Sequence, residues 1–407
     1  MRCAQGGSGS VKILLVHNFY RQHGGETAVF EAERRMLGAA GHSVISYTRD
    51  SNEIEAFGPW KRAALTPTAI WARDSHREIS ALLASEAPDV AHFTNTFPLI
   101  SPSAYYACRS ARVPVVQSIH NYRLICPAAT LWRDGSLCEE CVDHSLLRSV
   151  RHACYRNSRP ASAVLATALA IHRRCGSYAD RVDRYIALTE FARNKLIAGG
   201  LPEERITVKP NFLEPDPGVR EEPGNYALFA GRLTAEKGVH ALLDAWKRLG
   251  PDVPLHIAGD GPLRDVLASR IESEAIAGAT LLGSLSRDAL MRELRGARIL
   301  VFPSEWYEGM PMAIVEAFAC GVPTLACRLG GMSEMIDDDK NGLLVAPADP
   351  EDLAARLRWA FDHEDELAAL GRAARAEYEA RYTGAANCAR LIEIYEQTIE
   401  HSGDRAS

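Results

Sequence analysis

Aromatic side chains make up only 7% of the 407 residues, and the net charge is a modest −6. Nucleic-acid binders draw their affinity from a broad basic face, so this balance predicts no nucleic-acid partner. No stretch approaches the roughly 18 consecutive apolar residues of a membrane-crossing helix, so no span is expected. The opening, Met1 to Ser10, is small, polar and glycine-rich and lacks the apolar segment of a secretory leader, which predicts a cytoplasmic location. In such a reducing compartment ten cysteines would not build a disulfide framework, and clustered cysteine points instead to metal or redox chemistry. The turn after the first apolar run, Val11–Val16, has no G-x-G-x-x-G. The one G-x-G, at Gly259 and Gly261, has Arg264 where the third glycine belongs, so an NAD-dependent oxidoreductase lacks its pyrophosphate turn.

What is present is an ordinary globular composition, 47% hydrophobic and 24% charged, in a chain long enough for two domains with a cleft between them. The charge is divided unevenly, net +6 through Arg205 and −12 beyond it. Short apolar runs alternate with helical patterns, and that alternation predicts parallel α/β sheets. The first series runs through Val11–Val16, Val44–Tyr47, Val90–Phe93, Val113–Ile119 and Tyr185–Ala187. A second series opens at Tyr226–Ala230 and continues through Leu255–Ala258, Thr280–Leu282, Ile299–Phe302, Thr324–Ala326 and Gly342–Val345. Lys209–Gly224 between them holds four prolines and reads as the linker. The expected domains are therefore 11–210, carrying a cysteine-rich insert at 126–154, and 211–385. The last helical stretch, 386–400, has no strand after it and is expected to return to the first domain.

Two segments carry chemistry. Phe229-Ala-Gly-Arg-Leu-Thr-Ala-Glu-Lys-Gly238 places Gly231 at a strand end, followed by Arg232, Lys237 and a helix. Glycine lets a backbone approach, helix amides are unpaired, and the two cations supply countercharge, which together suit a phosphate; a solvated turn fits the segment alone equally well. Farther on, Glu308 and Glu316 bracket Gly309-Met310-Pro311, a loop opening a helix. Carboxylates accept from pairs of sugar hydroxyls, and the free amides of a helix start hold phosphate.

Gly-Arg-Leu-x3-Lys-Gly followed about 70 residues later by Glu-x7-Glu resembles the retaining glycosyltransferases of family 4, the "glycosyl transferases group 1" type, over nearly the whole chain. The resemblance implies the α/β GT-B fold, two facing Rossmann-like domains with parallel sheets and an interdomain cleft. It implies hexosyl transfer from a nucleotide-diphosphate sugar, UDP- or GDP-linked, without a catalytic metal or other cofactor. It assigns Arg232 and Lys237 to the diphosphate, Glu316 to the ribose, Glu308 with Gly309, Met310 and Pro311 to the donor sugar, and Gly231 and Leu285 to the donor pocket. In the first half it matches Gly24 and Gly25 to a loop beside the donor phosphate, and His120 to a histidine reaching the transferred sugar. Asn18 and Glu26 are weaker candidates for acceptor contact; His17 and Asp260 read as structural. In such enzymes the acceptor attacks from the face the diphosphate leaves, so the protein's work is positioning and charge stabilisation. Two rivals share the resemblance's shape, a nucleotide-sugar 2-epimerase and an inactive sugar-nucleotide-binding partner subunit.

Three further features need placing. His144–Ala179 contains six arginines and no acidic residue around an apolar run, 161–171. That bias fits contact with an anionic membrane surface, on the inner face, and a glycan or lipid-linked acceptor of cell-surface polysaccharide or glycolipid synthesis. Cys126, Cys138, Cys141 and Cys154, spaced C-x11-C-x2-C-x12-C, fit a structural zinc, with a redox pair, plain thiols or an iron–sulfur cluster as alternatives. Asp337–Asp339 reads as a solvated acidic loop.

Overall fold

The computed structural model describes residues 9–21, 24–56 and 65–404. Met1–Ser8, on which most of the leader reading rests, lie outside them. The chain forms two compact units. The first runs through Leu131, resumes over Cys138–Pro210 and takes back the chain from Ala385; the second holds Trp132–Leu137 and Asn211–Gly384.

The first unit has a six-stranded parallel sheet in the order β2-β1-β3-β4-β7-β8. Its strands are β1 Lys12–Phe19, β2 Ser43–Asp50, β3 Val90–Asn95, β4 Val115–Ile119, β7 Arg184–Ala187 and β8 Ile206–Val208. Central parallel strands are covered on both faces, so β3 and β4 are buried at every position and β1 at all but its ends, whereas the edge strand β2 is exposed at intervals. The terminal helix Gly384–Asp404 gives Leu391, Ile394 and Tyr395 to the core formed by Ile13, Leu15, Phe30 and Val116. A small hairpin, β5 Trp132–Arg133 and β6 Ser136–Leu137, turns through Asp134 and Gly135, both at positive φ. Asp-Gly is the two-residue turn such hairpins favour.

The second unit has a parallel sheet ordered β11-β10-β9-β12-β13-β14. These are β9 Ala227–Ala230, β10 Leu255–Ala258, β11 Ala279–Gly283, β12 Ile299–Phe302, β13 Thr324–Cys327 and β14 Gly342–Val345. Numbered within the unit this is 3-2-1-4-5-6, the doubly wound dinucleotide-fold order. The strand order reverses between the parallel neighbours β9 and β12, so ligands are expected beyond the carboxyl ends of those strands. In the first unit the same reversal falls between β1 and β3.

Asp337–Asp339 is an exposed acidic loop whose charges are paired: Asp337 and Asp339 are exposed, Asp338 Oδ2 meets Arg328 at 2.5 Å and Arg356 at 3.4 Å, and Asp337 pairs with Lys340 at 2.7 Å. The strand β8 and the hairpin were not anticipated. At three and two residues they fall below the length at which apolar periodicity is visible.

Candidate functional site

In the second unit the loops after β9 and β12 are locked backbone to backbone. Gly238 is left-handed at φ 69°, and a Cβ there would stand 1.9 Å from the Pro303 carbonyl oxygen. Gly259, at φ 147°, would put a Cβ 1.8 Å from the Gly231 carbonyl oxygen. Gly231 itself has ordinary space, so the close approach is made by its neighbours. The Glu305 amide donates to the Glu236 carbonyl at 2.9 Å, and Ser304 Oγ to the same oxygen at 3.2 Å. The sequence motif thus holds two loops in register at the switch point.

Lys237 ends a short 3-10 turn, Ala235–Lys237, and reaches across to β12. Its Nζ lies 2.5 Å from Glu308 Oε1, which also accepts from Ser304 Oγ at 2.6 Å. The ammonium is flanked by the rings of Phe302 and Trp306, at 5.2 and 5.4 Å. Trp306 Nε1 is buried with no hydrogen-bond partner among the described residues. Glu308 and Met310 are 7% exposed, and Pro311 precedes the helix Met312–Ala319, whose first amides lack helical acceptors. Glu316, in that helix, is also 7% exposed and accepts from Arg287 Nη1 at 2.9 Å. Burial pushes its carboxyl upward in pKa, against the Arg287 charge and hydrogen bond. Leu285 packs beside Leu282 on the Ala317 and Val322 cluster, and Arg232 is exposed. The structure therefore brings Lys237, Glu308, Gly309, Met310 and Pro311 together, with Glu316 in the helix that follows. Ser304, Trp306 and Arg287 were not singled out from sequence. Ser304 and Trp306 stand just before Glu308 in the chain, and only the fold shows them gathered with it around Lys237.

The first unit places its candidates beyond β1 and β4. Gly24 caps the helix Gly25–Ala39 and is exposed, with nothing within 4 Å of a Cβ there. His120 follows β4; its Nε2 is buried with no partner among the described residues. Burial lowers its pKa to about 4, with Glu33 opposing and Lys209 and His92 assisting, so the ring is neutral. His17 hydrogen-bonds Thr94 at 2.7 Å and stacks on Phe30. Asp260 Oδ1 accepts the Gly261 amide at 2.7 Å.

The cysteine-rich insert departs from the metal expectation. Cys126, Cys138 and Cys141 are unbridged thiols. Burial raises the Cys141 thiol to about 12, and the charges of Cys126, Cys154 and Cys138 add to this while a Ser149 amide opposes it, so the four share one neighbourhood. Yet among the described residues no group of three or more His, Cys, Asp or Glu side chains is gathered so as to hold a metal ion.

Comparison with known proteins bears on both units. The family described as "Glycosyltransferase Family 4" matches residues 23–217, and "Glycosyl transferases group 1" matches 213–377. An uncharacterized glycosyltransferase of Methanocaldococcus jannaschii is 28% identical over 215 residues, covering 53% of this chain and 60% of that one. A GDP-mannose-dependent alpha-mannosyltransferase of Corynebacterium glutamicum is 26% identical, covering 79% and 70%. The chain spans less than two thirds of the length of several curated relatives it matches. Among solved structures, Anabaena HepE in complex with UDP is similar at TM-score 0.65 and 18% identity, covering 95% of this chain and 100% of that one. The two family matches adjoin across the chain and the two parallel-sheet units are those of GT-B proteins, so the chain belongs to glycosyltransferase family 4.

Proposed function

We propose that this chain is a retaining glycosyltransferase that moves a hexose from a UDP- or GDP-sugar to a glycan or lipid-linked acceptor in cell-surface polysaccharide or glycolipid assembly. The observation that carries the reading is the Lys237–Glu308–Ser304 cluster at the β9/β12 switch point, directly before a helix start. Lys237 and Arg232 supply countercharge to the departing diphosphate, and the helix amides add fixed dipoles. The acceptor oxygen bonds to the anomeric carbon as the carbon–phosphate oxygen bond breaks, and its proton passes to the leaving phosphate. Glu316 accepts the ribose hydroxyls. UDP in the HepE structure and the GDP-mannose dependence of the Corynebacterium relative support a nucleotide-diphosphate donor. The test is a panel of UDP- and GDP-sugars assayed for release of the nucleotide with and without glycan acceptors, the anomeric configuration of any product being read by NMR. No release from any donor, or inversion, rejects the reading.

The two glutamates should separate kinetically. Glu316→Ala is expected to raise the donor KM roughly tenfold with kcat little changed, since the ribose contact is the same in ground and transition states. Glu308→Ala is expected to lower kcat, because it removes the partner that aims Lys237. Steady-state kinetics with the active donor decides; the reverse pattern would exchange their roles.

For the arginine tract we propose peripheral contact with an anionic membrane on the cytoplasmic side. No helix among the described residues is long and apolar enough to cross a membrane. The helix Arg159–Arg174 buries Leu165 and Leu169 and exposes Ile171, and Leu147 beside Arg148 is 72% exposed. Of the six arginines, Arg148 reaches a carboxylate, Glu140 at 4.0 Å. Vesicles with anionic lipid should retain the protein at low salt and release it as salt rises, because exposed charge is screened over about 8 Å at physiological ionic strength. Equal sedimentation with neutral and anionic vesicles would remove the proposal.

For the insert, zinc stays a proposal on the cysteine spacing alone, and an ion would have to draw the four thiols closer than they stand. About one zinc per chain by elemental analysis, lost in Cys138→Ser and Cys141→Ser, is the expected result. Metal-free, active protein removes it.

A further inference from the structure

The first unit carries, around its own switch point, a polar cluster that the donor chemistry does not use. Tyr20 follows β1, Asn95 ends β3, Asn121 and Arg123 follow β4, and Glu26 lies in the first turn of Gly25–Ala39. Asn95 Nδ2 donates to the Asn18 carbonyl at 2.7 Å, and its Oδ1 accepts the Phe97 amide at 3.0 Å and the Tyr20 hydroxyl at 3.4 Å. Asn121 Oδ1 accepts the Arg123 amide at 3.0 Å, and its side chain lies beside the Glu26 carboxyl and favours its charged form. Arg123 Nη1 donates to the Pro127 carbonyl at 3.0 Å, and the guanidinium charge lies near the Tyr20 hydroxyl. Its plane lies 4.1 Å from the Phe97 ring centre and 5.6 Å from that of Tyr155.

Two atoms of this cluster are left over. Glu26 Oε1 and Arg123 Nε are both buried without a hydrogen-bond partner among the described residues. An unmade buried hydrogen bond costs about 1–3 kcal/mol, which a ligand bonding both atoms would recover. The chemistry of that ligand is constrained. Arg123 donates one Nη1 hydrogen to Pro127 and lays its faces against two rings, which leaves Nε–H as the buried donor still to be satisfied. Glu26 beside it would repel an anion when ionised. Burial pushes the Glu26 carboxyl up to about 8, with Arg123 and Asn121 opposing. A hydroxyl suits either state, accepting from the acid and donating to the carboxylate.

We propose that Glu26 Oε1 and Arg123 Nε form a subsite for two neighbouring hydroxyls of a neutral sugar ring in the acceptor. The inference rests on the transferase reading and adds to it the chemical class of the acceptor at this point. Tyr155, just past the cysteine-rich insert, and Pro127 within it fix the Arg123 plane, which gives the insert a part in acceptor choice.

The test uses the full chain and saturation-transfer NMR with methyl glycosides of glucose, galactose and mannose, against inorganic phosphate and glycerol 3-phosphate as anionic probes. At least one glycoside should bind the wild type, with affinity lowered roughly tenfold or more in Glu26→Ala and in Arg123→Lys, which keeps the charge and loses Nε. Thermal stabilisation by UDP or GDP should be unchanged in both variants. Each variant counts only if its melting matches the wild type's, and Glu26→Gln, closest in shape, replaces Glu26→Ala if that fails to fold. No glycoside binding, glycoside binding indifferent to the substitutions, or displacement of glycosides by phosphate overturns the subsite. Absence of any nucleotide stabilisation in the wild type counts against the donor reading and leaves the subsite result standing by itself.

Discussion

Lys237→Ala is expected to lower kcat/KM for the nucleotide-sugar by about 10²–10³-fold, the range seen when one preorganised charge-stabilising group is lost from a site. The size follows from placement. Lys237 is held at 2.5 Å by Glu308, its side chain only 15% exposed, so its charge is fixed before any donor arrives and little is spent on reorganisation. The fold should survive, because Glu308 keeps its hydrogen bond from Ser304. The residual cost to stability is expected at about 1–3 kcal/mol. Arg232 is exposed and must be recruited by the ligand, so Arg232→Ala is expected to cost less, roughly tenfold. Steady-state kinetics on variants with matched melting curves checks both, and a near-normal rate in Lys237→Ala would remove the residue from the chemistry.

The second large effect is on stability and lies in the other unit. Glu33 Oε1 and Lys209 Nζ meet at 3.0 Å with both side chains 2% exposed, and Lys209 also donates to Asn387 Oδ1 on the terminal helix at 3.0 Å. One buried pair thus ties the helix Gly25–Ala39, the end of β8 and the helix Gly384–Asp404 together. Removing one partner leaves an uncompensated buried charge, so Glu33→Ala is expected to destabilise the first unit by about 3–5 kcal/mol. That corresponds to roughly 10 °C in melting temperature for a unit of this size. Glu33→Leu with Lys209→Met should recover most of the loss, since well-packed apolar replacements of buried pairs are often neutral or better. Equal loss in single and double variants would show that packing, not charge, is at stake.

Acid should act on the same cluster. Burial, the largest single influence, raises the Glu33 carboxyl, but the Lys209 charge and hydrogen bond together with His92 and His120 outweigh it and the net shift is downward. A carboxylate with a depressed pKa stabilises the fold above its unfolded value and loses that contribution as pH falls through the folded one. His92, fully buried between Tyr395 and Ser118, is lowered to about 4 chiefly by burial. Between its unfolded value of about 6.5 and that figure the unfolded chain binds the extra proton, so stability falls as pH drops through the window. Melting temperature should therefore decline from about pH 6.5 downward, with the His92 part missing in His92→Gln.

The sequence made the two sheets legible because central parallel strands hold apolar runs: Ile299–Phe302 and Ala227–Ala230 can be read directly. It made the phosphate loops legible because Gly231, Arg232 and Lys237 stand close together in the chain. It could not show Glu33 with Lys209, 176 residues apart, nor Arg287 on Glu316, since such pairs exist only after folding. It showed Asp337–Asp339 as an exposed acidic run, while the Arg328 and Arg356 partners of Asp338 become visible only in the fold. The Asp134-Gly135 hairpin has a turn-forming pair, but its strands are two residues long and carry no alternation to read.

Transfer by this chain requires that the second unit hold a nucleotide diphosphate through Lys237 and Arg232. Calorimetric titration of UDP and of GDP into the full chain, in buffer containing EDTA, measures this without need of an acceptor. The account predicts saturable binding of at least one of the two, weakened at least tenfold in Lys237→Ala and further in the double variant with Arg232→Ala. Heats indistinguishable from dilution for both nucleotides, or equal affinity in wild type and double variant, would contradict it.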